Sequence, residues 1–159
     1  MNNKQLSFVS FEHTKDGFRL FLPLDDFVFD EQDYEVQFKK AVIIYEKSIK
    51  KMKMILNEID DIRQKHKTLP AQKVWDLGNK IFELQNNLSD ISLQIDGLYH
   101  HLVRDLNVKR KWLEKVIIFR RYIPDRKAIP KSMNWGKCEK GTRRVAEELY
   151  RKFNLDKNG

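Results

Sequence analysis

The sequence predicts a mainly α protein: a long antiparallel helical hairpin of coiled-coil type, further C-terminal helices, and a small N-terminal β-hairpin. Three observations carry this expectation. From Phe38 the apolar residues step Val42, Tyr45, Ile49, Met52, Leu56 and Ile59, alternating intervals of four and three. A second run, Val74, Leu77, Ile81, Leu84, Leu88, Ile91, Ile95, Leu98 and Leu102, keeps the same alternation, as a heptad seam requires. Ahead of both, LSFVSFEHTKDGFRLFLPL alternates apolar and polar residues on either side of Asp16-Gly17, a pair suited to a tight turn.

Taken in chain order, a β-hairpin is expected over 6–22, closed by Pro23 and the acidic residues Asp25, Asp26 and Asp30. Asp30 reads as an N-cap and Asp33 as a first-turn acid for a helix over 31–67. The tetrapeptide KTLP, with Thr68 and Pro70, ends that helix and starts a second over 70–106, whose continuation to 122 is left open. In an antiparallel pair the numbers of facing residues share a nearly constant total. Pairs such as Phe38 with Leu98, Tyr45 with Ile91, Ile49 with Leu88 and Ile59 with Leu77 all total 136 or 137, so the seam closes along its length. Each arm is then roughly 55 Å long at 1.5 Å per residue. Ala41, Ile55, Ile62, Trp75 and Phe82 fall beside this seam and need further cover. Pro130, Gly136 and Gly141 break the chain into an irregular basic loop over 124–141. A last helix is expected over 142–154, with Thr142 as N-cap and Val145, Leu149 and Phe153 on its buried face.

Composition bounds what this chain does. Its 159 residues suffice for one domain with an apolar core, and 41% hydrophobic and 34% charged residues fit a globular or bundled helical protein. Cys138 is the single cysteine, so no internal disulfide forms and no CxxC metal or redox pair exists. The longest apolar runs, 41–45 and 116–119, fall far short of the roughly 20 residues that cross a bilayer, and no apolar leader follows Met1. The expectation is a cytoplasmic chain with no membrane association. The net charge of +8 is unevenly distributed. Residues 1–68 hold 12 cations and 12 anions, 69–103 hold 2 and 4, and 104–159 hold 17 and 7. Such asymmetry is the footprint of a surface that meets a polyanion.

The stretch WGKCEKGTRR, 135–144, approaches the spacing of a phosphate-cradling loop but departs from it at the decisive position. A Walker A loop needs Lys and then Ser or Thr after its last glycine, whereas Gly141 is followed by Thr142 and Arg143. No buried strand precedes Gly136, so a nucleoside triphosphate site is rejected. What survives is a helix start flanked by Lys137, Lys140, Arg143 and Arg144, hospitable to phosphate oxygens. The plainer alternative is a surface helix whose Arg143 and Arg144 pair with Glu147 and Glu148.

The stronger signal is KRKWLEKVIIFRRY, 109–122. If one helix runs through it, Arg104, Lys111 and Lys115 share a face with Tyr122, while Arg110 and Arg121 fall on another. Arg104, Lys109, Arg110, Lys111, Lys115, Arg120 and Arg121 are opposed there by Asp105 and Glu114 alone. Trp112, Tyr122 and Trp135 are candidates for stacking on unpaired bases. The plainer alternative makes Trp112, Val116, Ile117 and Phe119 core and the cations a solvated face. His13, His66, His100 and His101 show no HxxxH or HExxH spacing, so no metal ligand set, cofactor site or catalytic group is assigned. Cys138 lies among lysines expected to lower its pKa, but no partner base can be identified.

The function these patterns favour is a non-enzymatic nucleic-acid-binding protein, for DNA or RNA, or a small helical subunit of a nucleoprotein complex. In size, charge and helicity the chain resembles the small basic helical subunits of CRISPR effector complexes and the helical accessory proteins of diversity-generating retroelements. That likeness covers no motif and assigns no residue. The alternative is a coiled-coil adaptor docking onto a larger protein, or a homo-oligomer, through apolar helix flanks and the β-hairpin edge.

Overall fold

The computed structural model describes the backbone of residues 6–10, 19–23 and 31–158, with side chains from 35 onward. The protein is mainly helical. Strands β1 (Leu6–Ser10) and β2 (Arg19–Pro23) pair antiparallel, Leu6 opposite Pro23 and Ser10 opposite Arg19. The expected Asp16-Gly17 turn and the Asp30 cap lie outside the described residues. Helix α1 spans Glu31–Gln64 and α2 spans Ala71–Asp90. The two pack along one another, and the apolar steps Ile49, Met52, Leu56 and Ile59 of α1 are buried, as are Leu77, Ile81, Leu84 and Leu88 of α2.

The second arm is shorter than its heptads predict. α2 stops at Asp90, a two-residue strand β3 (Gln94–Ile95) pairs with Leu20 and Phe21 of β2, and a new helix α3 occupies Leu98–Leu106. Two left-handed residues, Ser92 (φ 59°) and Gly97 (φ 64°), make the reversal. Ile95, Leu98 and Leu102 are still buried, which is why the apolar period runs unbroken through a change of direction. On the α1 side, the Tyr45 hydroxyl donates to the Asp105 carboxylate on α3.

Of the courses open beyond Leu106, the chain takes a restart near Asn107 and not one continuous helix to 122. Asn107, left-handed at φ 52°, caps α3, and a separate helix α4 covers Arg110–Tyr122. At one end of α4, Trp112 meets Arg63 of α1; near the other, Arg120 meets Trp75 and Phe82 of α2, so α4 spans both arms. Its approach to α2 is close at Gly78, where a Cβ would stand 2.7 Å from the Arg120 Cβ and 3.0 Å from the Val116 carbonyl.

The segment 124–141 is irregular, as expected, and forms a clasp over the turn between α1 and α2. Trp135 N donates to the Leu69 carbonyl at 2.8 Å, Ala71 N donates to the Met133 carbonyl at 2.9 Å, and Pro70 bridges Asn134. Two 3-10 turns, Arg126–Ala128 and Trp135–Lys137, are each held by a side chain, Asp125 and Asn134, accepting from the backbone. The last helix, α5, covers Thr142–Lys157 and packs on α4. Its cap is left-handed Gly141, not Thr142, whose Oγ1 donates back to the Glu139 carbonyl. Ala146 is fully buried, while Val145, Leu149 and Phe153 are half-buried.

Candidate nucleic-acid interface

The cations proposed from sequence divide into two groups, separated by what each side chain touches. Arg104, Arg110, Arg120 and Arg143 are engaged. Arg104 donates through Nε to Asp105 at 2.9 Å, and its Nη2 lies 3.2 Å from His101 Nδ1. Burial pushes the Asp105 pKa up, but hydrogen bonds from Arg104 and Tyr45 and the positive charges nearby outweigh it, so the carboxyl stays below its ordinary value. Arg104 thus belongs to a polar network between α1 and α3, and the break at Asn107 takes it off the face of Lys111 and Lys115.

Arg120 is a structural clamp. Its guanidinium sits 5.1 Å from the Trp75 ring centroid and 4.6 Å from that of Phe82, while Nε donates to Asn79 Oδ1 at 3.0 Å. Burial lowers its pKa, partly countered by Glu83. Arg110 pairs with Glu114 at 3.3 Å, and Arg143 with Glu147 at 3.1 Å, each one turn along its own helix. Such exposed pairs within one helix contribute little and yield readily to a phosphate.

Lys109, Lys111, Lys115, Arg121, Lys137, Lys140 and Arg144 have no carboxylate at ion-pair distance among the described residues. All are exposed except half-buried Lys115. They form two groups. Lys109 and Lys111 stand at the start of α4, where Arg63 covers the Trp112 ring at 5.6 Å; a cavity of about 370 Å³ opens beside them, lined by Leu56, Asp60, Arg63, Leu106, Lys109 and Trp112. Lys137, Lys140 and Arg144 surround the start of α5, and Arg143, 4.7 Å from the Tyr122 ring, ties that corner to Arg121 at the end of α4. Lys111 and Arg121 are ten residues apart, roughly 15 Å along the helix. Lys115 lies between.

Both helix starts place cations at the positive end of the helix dipole. Neither α4 nor α5 has a capping side chain or an acidic residue in its first turn, and both place cations there, Arg110 and Lys111 in one, Arg143 and Arg144 in the other. A helix N-terminus carries about half a positive charge, so cations in the first turn are unfavourable there and an anion relieves them.

The aromatic candidates fare differently. Trp135 is 1% exposed and packs edge-on against Phe119 at 5.3 Å, so it belongs to the core and stacks on no base. Its indole N–H has no hydrogen-bond partner among the described residues. Trp112 is half-buried with one face under Arg63, and its Nε1 is likewise buried without a partner. Tyr122 has one face under Arg143. Cys138 reverses its expectation: it is fully buried, its Sγ faces the Asn134 carbonyl at 3.6 Å, and burial together with Glu139 pushes the thiol up to about 11. The apolar flanks are also covered. Ala41 and Trp75 are buried, Ile55, Ile62 and Phe82 pack against the core, and Trp75 Nε1 donates to the Ile123 carbonyl at 2.8 Å.

Sequence reasoning missed two groups of basic residues. Arg126 grips Asp76 through two hydrogen bonds of 2.7 and 3.1 Å, across fifty residues of chain. On α1, residues 39–53 hold six lysines against Glu46 alone, and all six are exposed. Among the described residues no His, Cys, Asp and Glu cluster is placed to hold a metal ion, and no helix is long and apolar enough to cross a membrane. Comparison with known protein families, curated proteins and solved structures gave no match.

Proposed function

We propose that this chain is a non-enzymatic nucleic-acid-binding protein, or a small helical subunit of a nucleoprotein complex, whose phosphate contacts come from the starts of α4 and α5. Lys109, Lys111, Lys115 and Arg121 serve α4; Lys137, Lys140 and Arg144 serve α5. Arg110 and Arg143 join once their weak local pairs open. The scaffold is read as a helical hairpin of α1 and α2, with a β-hairpin at its N-terminal side and the cations gathered where α4 and α5 meet it. A single observation carries the reading: two helices begin with uncapped, cation-rich first turns, an arrangement whose repulsion is relieved by an anion.

Fluorescence anisotropy on short single- and double-stranded DNA and RNA tests it. The expected result is binding at low salt to at least one substrate, weakened tenfold or more by Lys109→Glu with Lys111→Glu, and similarly by Lys140→Glu with Arg144→Glu. Reversal at Lys39, exposed on α1 and roughly 25 Å along that helix from Leu56, should leave affinity within about twofold. Absence of binding to all four substrates at low ionic strength overturns the proposal.

A further inference from the structure

The outward face of α1 carries a feature that phosphate binding does not use. Among the described residues, four large apolar side chains stand exposed, and three of them, Val36 (51%), Ile43 (51%) and Met54 (66%), lie on this helix. Their spacings of seven and eleven residues are two and three helical turns, so they form one straight row, opposite the buried Phe38, Tyr45, Ile49 and Met52. Lys40 and Lys47 interrupt that row, and Lys50 and Lys51 flank it. None of the four has a carboxylate at ion-pair distance among the described residues. Lys47 stands three and four residues from Lys50 and Lys51, spacings at which like charges repel.

We infer that this face docks an acidic amphipathic helix of a partner protein, with apolar side chains seated on Val36, Ile43 and Met54 and carboxylates against Lys40, Lys47, Lys50 and Lys51. Other occupants fit less well. A second copy laid antiparallel with Ile43 on Met54 sets Lys47 against Lys50 twice, and a parallel copy sets each lysine near its own twin. A bilayer surface wants an apolar sector about 100° wide, whereas here the row is one residue across and sinking it drowns Lys47. A phosphate backbone has no use for three exposed apolar side chains. A facing helix satisfies both demands at once, because its own turns alternate the two chemistries at matching intervals. This inference is independent of the nucleic-acid reading, since its residues lie on α1 and the proposed phosphate contacts lie on or beside α4 and α5.

The test uses the full chain and a synthetic helical peptide with leucines at the same seven- and eleven-residue spacings and glutamates between them. The expected result is saturable binding in anisotropy, weakened about tenfold or more by Ile43→Ser and Met54→Ser together. Lys47→Glu with Lys50→Glu should weaken it similarly, whereas Lys109→Glu with Lys111→Glu leaves it unchanged. Because Ile43 and Met54 are exposed, the thermal melt of their double variant should match that of the parent. The inference is overturned if a scrambled peptide of equal composition binds as well, or if the Ile43 and Met54 variant binds normally. It is equally overturned if those two substitutions instead abolish self-association, binding to phosphatidylserine-containing vesicles, or binding to an oligonucleotide.

Discussion

Arg120 and Lys111 are cations of one helix, nine residues apart, yet only Lys111 is exposed to solvent. Arg120 spends its guanidinium between Trp75 and Phe82 and on Asn79, so truncation removes two cation–π interactions and a charged hydrogen bond inside the fold. Arg120→Ala should lower unfolding free energy by about 2 kcal/mol in urea titrations, with little dependence on salt. Arg120→Lys should recover little of that, because an ammonium lacks the planar fork that stacks and bonds at once. Neither should change the salt dependence of nucleic-acid binding. Cys138 supplies a second check. A thiol raised to about 11 in the folded protein keeps its proton where the unfolded chain, with an ordinary thiol near 9, has lost it. The unfolded state therefore binds fewer protons between about pH 9 and 11, and stability falls across that window, while below pH 9 the contribution is fully present. A thiol-reactive disulfide reagent at pH 8 should leave Cys138 unmodified until denaturant is added; rapid native labelling refutes this assignment.

Two glycines set the positions of whole helices, for different reasons. Gly97 has φ 64° with nothing within 4 Å of a would-be Cβ, so Gly97→Ala costs only backbone strain, about 1 kcal/mol, and a D-alanine there should be tolerated. Gly78 lies in regular helix, where alanine is the better helix former by about 1 kcal/mol, yet its Cβ would strike the Val116 carbonyl and the Arg120 Cβ. Crowding of that kind costs roughly 1–3 kcal/mol, so Gly78→Ala should lower the melting temperature despite its propensity gain. The same contrast explains what the sequence could reveal. Heptads from Phe38 to Leu88 specify both long helices because those residues face a single seam. Beyond Leu88 the apolar period persists through Ile91, Ile95 and Leu98, although the chain reverses, since the core lies on both sides of the turn. Asp96-Gly97 is a pair suited to a turn, and the unbroken apolar period masks it. The clasp over 129–138 had no legible period, because it is held by backbone bonds to Leu69 and Ala71, partners about sixty residues earlier.

Charge counted along the chain located the excess in 104–159, yet that tally is blind to partners brought in by folding. It could not see Asp76 reaching Arg126, Asn79 reaching Arg120, or the burial of Trp135, and the zero balance of 1–68 concealed the lysine face of α1. The two binding proposals divide the positive surface into two functions with separable signatures. If the seven unpaired cations on and beside α4 and α5 each neutralise one phosphate, log affinity should fall with log salt at a slope of about −6 on duplex, or about −5 on a single strand. Replacing Lys109 and Lys111 with alanine should reduce that slope by about 1.5 to 2, because each lysine removed leaves one phosphate with its condensed counterion in place. Replacing Lys47 and Lys50 should leave it unchanged and weaken only the acidic helix. Measuring both slopes from low to physiological ionic strength decides whether the surface is divided in this way. Equal reductions from the two pairs would mean that phosphates lie along α1 as well, and an unchanged slope for the Lys109 and Lys111 variant would remove α4 from the interface.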